Sequence, residues 1–341
     1  MSAMPLAILQ TGLVTSVGLS APAACAAIRA GLTNPTETRY ISPTGGWIMA
    51  HQVSLDEAWR GRQKLVRMAS FAIEEALEKL PREEWGRLPL LLCIAEHARP
   101  GRTEGLDDRL LAEIEHDLGV RFAEQSAVFP HGRVSVAVAL MQARKLVERG
   151  SVPYVLIAAT DSLVSWPTLY AYQSRDRLLT TENSDGFIAG EGAGAVLVGR
   201  PDQSSGLLCR GIGFATEASH IDSESPLRAD GLVQAISNAV TDAGCAFHDL
   251  DFRIADLSGE QYYFKEAALA MSRLLRVRKP EFDIWHPADC IGEAGAVAGA
   301  ACIAVAAAAF RKGYSPGPRV LLHASSDAGE RTAAVLHFGA D

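Results

Sequence analysis

The chain has 341 residues with 32 basic and 40 acidic side chains, a formal charge of −8 at pH 7. With 48% hydrophobic and only 21% charged residues it can build a packed core and is too apolar for a disordered chain. An acidic balance with no basic run argues against nucleic acid, because phosphate contacts need clustered Lys and Arg.

Domains typically run to about 100–200 residues, so the length fits two domains or one large duplicated one. Leu6 to Leu9 reads as a strand, followed by Thr11 to Gly18 and a helix from about Pro22 to Ala30. Residues 35–60 read as a surface insertion. Helices over Gln63–Leu80 and Leu106–Leu118 flank an apolar strand at Leu88–Ala95. From Val134 to Gly150, Val136, Leu140, Ala143 and Val147 recur at helical spacing, and Arg149-Gly150 supplies a cationic last turn and a glycine stop. A Pro153 loop, the strand Tyr154–Ala159, Thr160-Asp161 and a returning strand Ala193–Val198 complete this unit.

The same order then recurs. Leu207 to Gly213 is a strand, 215–228 a surface insertion, and Gly231–Gly244 a helix. A strand at Arg253–Leu257 and a helix at Lys265–Leu275 follow. The Ala-rich stretch Gly295 to Gly313 ends at Arg311-Lys312-Gly313 and leads through a proline loop to the strand Arg319–Ala324, Ser325-Ser326-Asp327 and the returning strand Thr332–Phe338. Helix, glycine stop, proline loop, buried strand, hydroxyl-Asp and returning strand thus occur twice, the mark of an internal duplication. The boundary is placed at the Pro201–Ser205 patch, giving halves 1–203 and 204–341. Continuous apolar strands alternating with helices predict an α/β fold with sheets covered on their faces.

Two segments imitate targeting signals. Leu19 to Cys25 loosely matches a lipoprotein cleavage site, but no Lys or Arg precedes Arg29. Ala294 to Phe310 is uncharged, yet it is short of the roughly 20 residues of a membrane span and mostly Ala and Gly, so it reads as a buried helix. No membrane span and a cytoplasmic location are expected. The six cysteines, Cys25, Cys93, Cys209, Cys245, Cys290 and Cys302, form no CxxC pair, so buried free thiols are expected and no metal or cofactor.

The most specific segment is Asp185-Gly-Phe-Ile-Ala-Gly-Glu-Gly-Ala-Gly194, which runs into the β-type string Ala195–Val198. A dinucleotide loop would instead open a helix. The segment resembles the Asp-Gly-Phe-x-x-Gly-Glu-Gly-Ala-Gly hairpin of β-ketoacyl synthases in the thiolase superfamily. Thr11 to Gly18 with Ile28 to Gly31 resembles that family's opening, and Ile291-Gly-Glu-Ala-Gly-Ala296 its second-half helix start. The resemblance covers nearly the whole chain. It implies a thiolase-like duplicated α-β-α-β-α five-layer fold, dimerisation through an edge strand, and a condensing site at the junction of the halves. There a cysteine at a helix N-terminus would take the acyl group and two histidines would serve decarboxylation.

This chain departs from that set. The family's cysteine falls on or next to Arg133 in His131-Gly-Arg-Val-Ser135, and no cysteine lies between Cys93 and Cys209. Ser258 and Asp289 stand at the two histidine positions, Ile284 at a nearby lysine, and Ala324 to Glu330 replaces the terminal Phe-Gly-Gly loop. Loss of even one member of a cooperating set costs orders of magnitude in rate, so no family catalysis is expected. Two replacement nucleophiles are conceivable, Cys290 with His286 as base and Ser135 with His131. Arg133 and Asp289 either form an ion pair filling the old cavity or stand apart, an exposed arginine and a helix cap. The resulting expectation is a retired ketosynthase-like protein. It would act as an adaptor or chaperone, with type VI secretion effector loading as one setting, or as a non-catalytic subunit of an active ketosynthase in fatty acid or polyketide synthesis. The enzyme-class alternative is a divergent acyl-transferring condensing enzyme. The expected partner is accordingly an effector, a secretion component or an active ketosynthase homologue, in a homo- or heterodimer.

Overall fold

A computed structural model describes residues 4–43, 45–202 and 206–339. In chain order the elements are β1 (Leu6–Val14), α1 (Ala21–Arg29), β2 (Thr36–Ile41), β3 (Trp47–His51), α2 (Gly61–Ala76), β4 (Leu90–Cys93), α3 (Leu110–Leu118) and β5 (Ala127–Phe129). Next come α4 (Ser135–Glu148), β6 (Tyr154–Ser162), α5 (Trp166–Gln173), β7 (Ala189–Gly199), β8 (Leu207–Thr216) and α6 (Asp230–Ala243). The last are β9 (Phe252–Ala255), α7 (Gln261–Leu274), β10 (Ile284–Trp285), α8 (Ala288–Ile291), α9 (Ala298–Arg311), β11 (Arg319–Ser325) and β12 (Glu330–Phe338).

Apart from the β2–β3 hairpin, the strands run β10-β9-β11-β12-β8-β1-β7-β6-β4-β5. Counting outward from the middle, each side has its first strand innermost, then its last, fourth, second and third. Pairing repeats as well: β1–β7 and β7–β6 are antiparallel, β6–β4 and β4–β5 parallel. Likewise β8–β12 and β12–β11 are antiparallel, β11–β9 and β9–β10 parallel. Even the irregularities match, with a register shift at Leu9 in β1 and at Arg210 in β8. The two five-stranded sets meet only where Leu6–Ile8 pairs with Leu207–Cys209. The proposed 203/204 boundary itself lies outside the described residues.

Helices fill three layers around these sheets. α4 and α9 lie between the two sheets, with α1 packed against α9, in a single apolar cluster that includes Leu13, Leu140, Val196, Ile303 and Leu322. α2 and α3 cover one outer face and α6 and α7 the other. The expected duplicated five-layer fold is therefore present. Close approach depends on small residues. A Cβ at Gly12 in β1 would lie 2.0 Å from the Ala72 carbonyl of α2, and one at Gly213 in β8 would lie 2.1 Å from the Ala235 carbonyl of α6. The uncharged stretch before Phe310 forms α9, apolar on all sides because sheets press on both of its faces. Among the described residues no helix is long and apolar enough to cross a membrane.

The Gly-rich segment 190–194 sits in β7, not in a loop. Its glycines admit the Ile291 carbonyl, the Val14 carbonyl and Ala300, each within 2.7 Å of where a Cβ would stand. Residues 35–60 are more than a surface insertion. β3 pairs in parallel with β7 through Ala50–Ala189 and His51–Gly190, so Ile48, Ala50, His51 and Val53 are buried.

Candidate functional site

The junction of the halves is built from two equivalent elbows. Before α4 the chain turns through Gly132, Arg133 and Val134, and before α9 through Gly295, Ala296 and Val297. Gly132 has φ +53° and Gly295 φ +57°, a backbone that L side chains avoid. Space is closed to a side chain as well: a Cβ on either glycine would stand 2.0 Å from a carboxylate oxygen, of Glu96 in the first case and Asp161 in the second. Ser135, wholly buried, braces the first elbow. Its Oγ accepts from the His131 N–H at 3.0 Å and donates to the Phe129 carbonyl at 3.1 Å.

Arg133 therefore points into the junction, where it is only 8% exposed. Its guanidinium donates to Tyr263 Oη at 2.7 Å and to Asp327, and lies 3.4 Å from Glu293 and 4.0 Å from Asp256. The Tyr263 ring lies against it, 4.5 Å from the guanidinium carbon, and the phenol donates on to Asp327. Arg177 grips Glu260 with two bonds of 2.6 and 2.8 Å and also reaches Asp327 at 2.7 Å. Arg99 does the same to Glu96 at 2.7 and 2.8 Å and stands 3.4 Å from Asp161. All three arginines belong to the first half. Four carboxylates, Asp256, Glu260, Glu293 and Asp327, come from the second, so the network spans the junction.

Charged groups this deep persist only when paired and hydrogen-bonded. Burial alone would raise Asp327, but Arg133 and Arg177 outweigh it and hold its carboxyl far below the usual range. Asp256 shows the opposite balance. Burial lifts it to about 7 despite the opposing pull of Arg133 and of the Ser325 N–H. Burial also raises Asp161 and Glu260, in each case against the arginine beside them.

Little open space remains. The cavity lined by Arg133, Asp256, Cys302 and His323 has about 30 Å³, and two others touching the network have about 10 Å³ each. A water takes roughly 30 Å³ of liquid volume, so none of these holds an acyl chain. A guanidinium has no basic lone pair at accessible pH and cannot act as nucleophile. Cys302 reaches the largest of the three, but burial drives its thiol far up, away from the reactive thiolate. Among the described residues no three His, Cys, Asp or Glu side chains converge as metal ligands.

The residues singled out from sequence fare unequally. Arg133 occupies the junction, as expected of its elbow. The Arg133–Asp289 ion pair does not form. Asp289 is 62% exposed and its carboxylate lies 2.7 Å from His286 Nδ1. Glu293 takes its place because the Gly190 N–H to Glu293 carbonyl and Glu293 N–H to Ile188 carbonyl bonds, both 2.8 Å, pin that turn onto β7 and aim its side chain inward. The alternative of an exposed arginine fails too. Ser258 is half-buried and its Oγ has no hydrogen-bond partner among the described residues, whereas Asp256 and Glu260 on either side join the network.

Neither replacement nucleophile is assembled. Ser135 is held by backbone groups, and His131 faces Glu330 at 3.4 Å. The Cys290 thiol is buried, raised first by that burial and then by Asp289, and the His286 ring nitrogen is directed to Asp289. Sequence reasoning missed Glu96, Arg99, Arg177, Glu260, Tyr263 and Glu293. One signal was available: the hydroxyl-Asp ends of the twin strands, Thr160-Asp161 and Ser326-Asp327, both deliver their carboxylates here.

No protein-family model matches this chain, nor does any curated protein. Solved structures of thiolase-like fold do. The chain is similar, at 14% identity and TM-score 0.83 over 99% of its length and 100% of the other chain, to AntDE:AntF, a type II PKS acyl-carrier protein in complex with its ketosynthase bound to the hexaketide. The ishigamide ketosynthase/chain length factor aligns at 17% identity and TM-score 0.80, over 99% of this chain and 100% of that one. The ketosynthase ApeO in complex with its chain length factor ApeC from Xenorhabdus doucetiae aligns at 13% identity and TM-score 0.74, over 98% of each chain. At these identities the likeness establishes the fold: this is the architecture of ketosynthases and chain length factors.

Proposed function

We propose that this protein is a catalytically inactive, ketosynthase-like thiolase-fold protein that works as a non-catalytic partner of a cysteine-bearing ketosynthase homologue. One observation carries the reading: the helix-start position to which the resemblance assigns the nucleophile holds Arg133, buried and tied to Tyr263, Glu293 and Asp327. Ser258 and Asp289 at the histidine positions, and cavities of about 30 Å³ or less around the arginine, agree with it. A charged plug of this kind closes the acyl site while keeping the two halves in register. The neighbouring structures that pair a ketosynthase with a chain length factor favour this partner over an effector. The strand β5, which among the described residues pairs with β4 alone, is an edge suited to such pairing.

Two measurements test this. Incubation with acyl-thioesters followed by intact-mass analysis is expected to give no covalent adduct. An adduct abolished by Cys290→Ala or Ser135→Ala would replace the proposal with a divergent acyl-transferring enzyme. Purification of the native complex is expected to bring down a ketosynthase homologue. Recovery of effector or secretion proteins instead, as for an adaptor of type VI secretion, would keep the inactive site and change the partner.

A further inference from the structure

At the far end of α9, about 20 Å from the elbow by its helical rise, the molecule has a second concave region. α1, the C-terminal part of α9 and β10 enclose two cavities, of about 460 and 500 Å³, that meet at Arg29 and Tyr314. The Arg29 guanidinium lies over the Tyr314 ring, 4.0 Å from its centre, and forms the wall between them. Both volumes fall within the range of small-molecule sites. The smaller cavity has an apolar floor of Ala21, Cys25, Ala304 and Ala308, and its rim carries Arg29, Arg311 and Lys312. Among the described residues none of these three cations stands in an ion pair. Glu75 is close to Arg311, but its oxygens are taken by the Leu13 and Ala21 N–H groups. Beyond the wall, Trp285 stacks on Tyr314 with ring centres 6.2 Å apart, over Val305 and Cys290.

Cations at helix ends are ordinary, since they offset the helix dipole. Three of them around one apolar floor are not, particularly on a chain of net charge −8. We propose that this groove binds an amphiphilic monoanion, a carboxylate on a medium-length alkyl chain, with its head on Arg29, Arg311 and Lys312 and its tail on the alanine floor. The site uses none of the residues of the junction network, so it stands whether or not the protein proves inactive there.

Decanoate is the probe, titrated into the full chain by calorimetry. Saturable binding of one decanoate is expected. Octanoate should bind more weakly, by about fourfold per methylene removed. Decanol, lacking the charge, should bind at least tenfold more weakly than decanoate, and inorganic phosphate should not displace it. The double variant Arg311→Glu, Lys312→Glu should lose at least tenfold in affinity. Ala308→Trp, which fills the floor from a partly exposed position, should abolish binding with an unchanged circular dichroism spectrum. Non-saturable uptake, phosphate competing as well as decanoate, or full affinity in both variants would overturn the proposal.

Discussion

The two elbows of this molecule share a backbone and differ in one side chain. Gly132 and Gly295 have nearly the same left-handed φ, α4 and α9 have the same length, and Gly150 and Gly313 end both units at φ +69° and +68°. Yet the first elbow projects Arg133 into a network of carboxylates, while the second projects the apolar Ala296, whose backbone N–H donates to Asp161 at 2.9 Å. The frame that aims a residue into the junction is set by glycine geometry and packing. What the residue does there is free to change, because the frame does not depend on it.

That independence can be broken experimentally. Arg133→Ala carries the largest expected cost, because it leaves Glu293 and Asp256 buried without their main cation and Asp327 with Arg177 alone; removing one partner of a buried pair typically costs about 3–5 kcal/mol. Urea denaturation midpoints measure it, and a loss below about 1 kcal/mol would mean the network is loosely coupled. Gly295→Ala should come next, above the roughly 1–2 kcal/mol of a left-handed backbone alone. Its Cβ meets buried Asp161, which cannot move without releasing Ala296 and Arg99. Gly132→Ala should cost somewhat less than Gly295→Ala but more than those roughly 1–2 kcal/mol, since Glu96 is a quarter exposed yet must release Arg99 to move aside. Ala296→Gly, at the position matching Arg133, should cost only about 0.5–1 kcal/mol. Equal costs for Arg133→Ala and Ala296→Gly would erase the distinction between the elbows.

An effect of similar size is a gain that depends on pH. Asp256 sits at about 7 in the folded state, above an ordinary carboxyl, so the folded chain holds this proton more tightly than the unfolded one. Its contribution is therefore best at acid pH and is lost as pH rises through 7. His51, lowered to about 4 by burial, and His323, lowered to about 3, act in the opposite sense, stabilising above about 6.5 and failing on acidification. Asp256→Asn keeps an acceptor for the Ser325 N–H and isolates the first effect. Thermal melts should find the variant more stable at pH 8, by something on the order of 1 kcal/mol, with the difference shrinking steadily as pH falls from about 7 towards about 4. A difference that grows on acidification would reverse the assignment.

Much of this was legible in the chain. The duplicated order of helix, glycine stop, strand and hydroxyl-Asp gave both halves of the fold, since each step follows from local periodicity and from the backbone freedom of glycine. Arg133 at its elbow, and the absence of any cysteine between Cys93 and Cys209, could be read off directly. The second-half partners were not legible in the same way. Asp289 was the expected counterpart, but the short helix α8 leaves it at the surface, and a turn pinned to β7 brings in Glu293 four residues later. No local pattern distinguishes those two acids.

The sequence by itself determined the repeat, the sheet-and-helix layering and the arginine at the first elbow, because these rest on spacing, residue type and backbone restriction along one stretch of chain. Only the tertiary structure decided that Arg133 is buried rather than exposed, which carboxylates hold it, and that the space around it is closed. It likewise decided that Arg29, Arg311 and Lys312 share one groove. These outcomes depend on side chains far apart in sequence meeting across the packed halves, where desolvation forces every charge to find a partner and distance along the chain no longer says which.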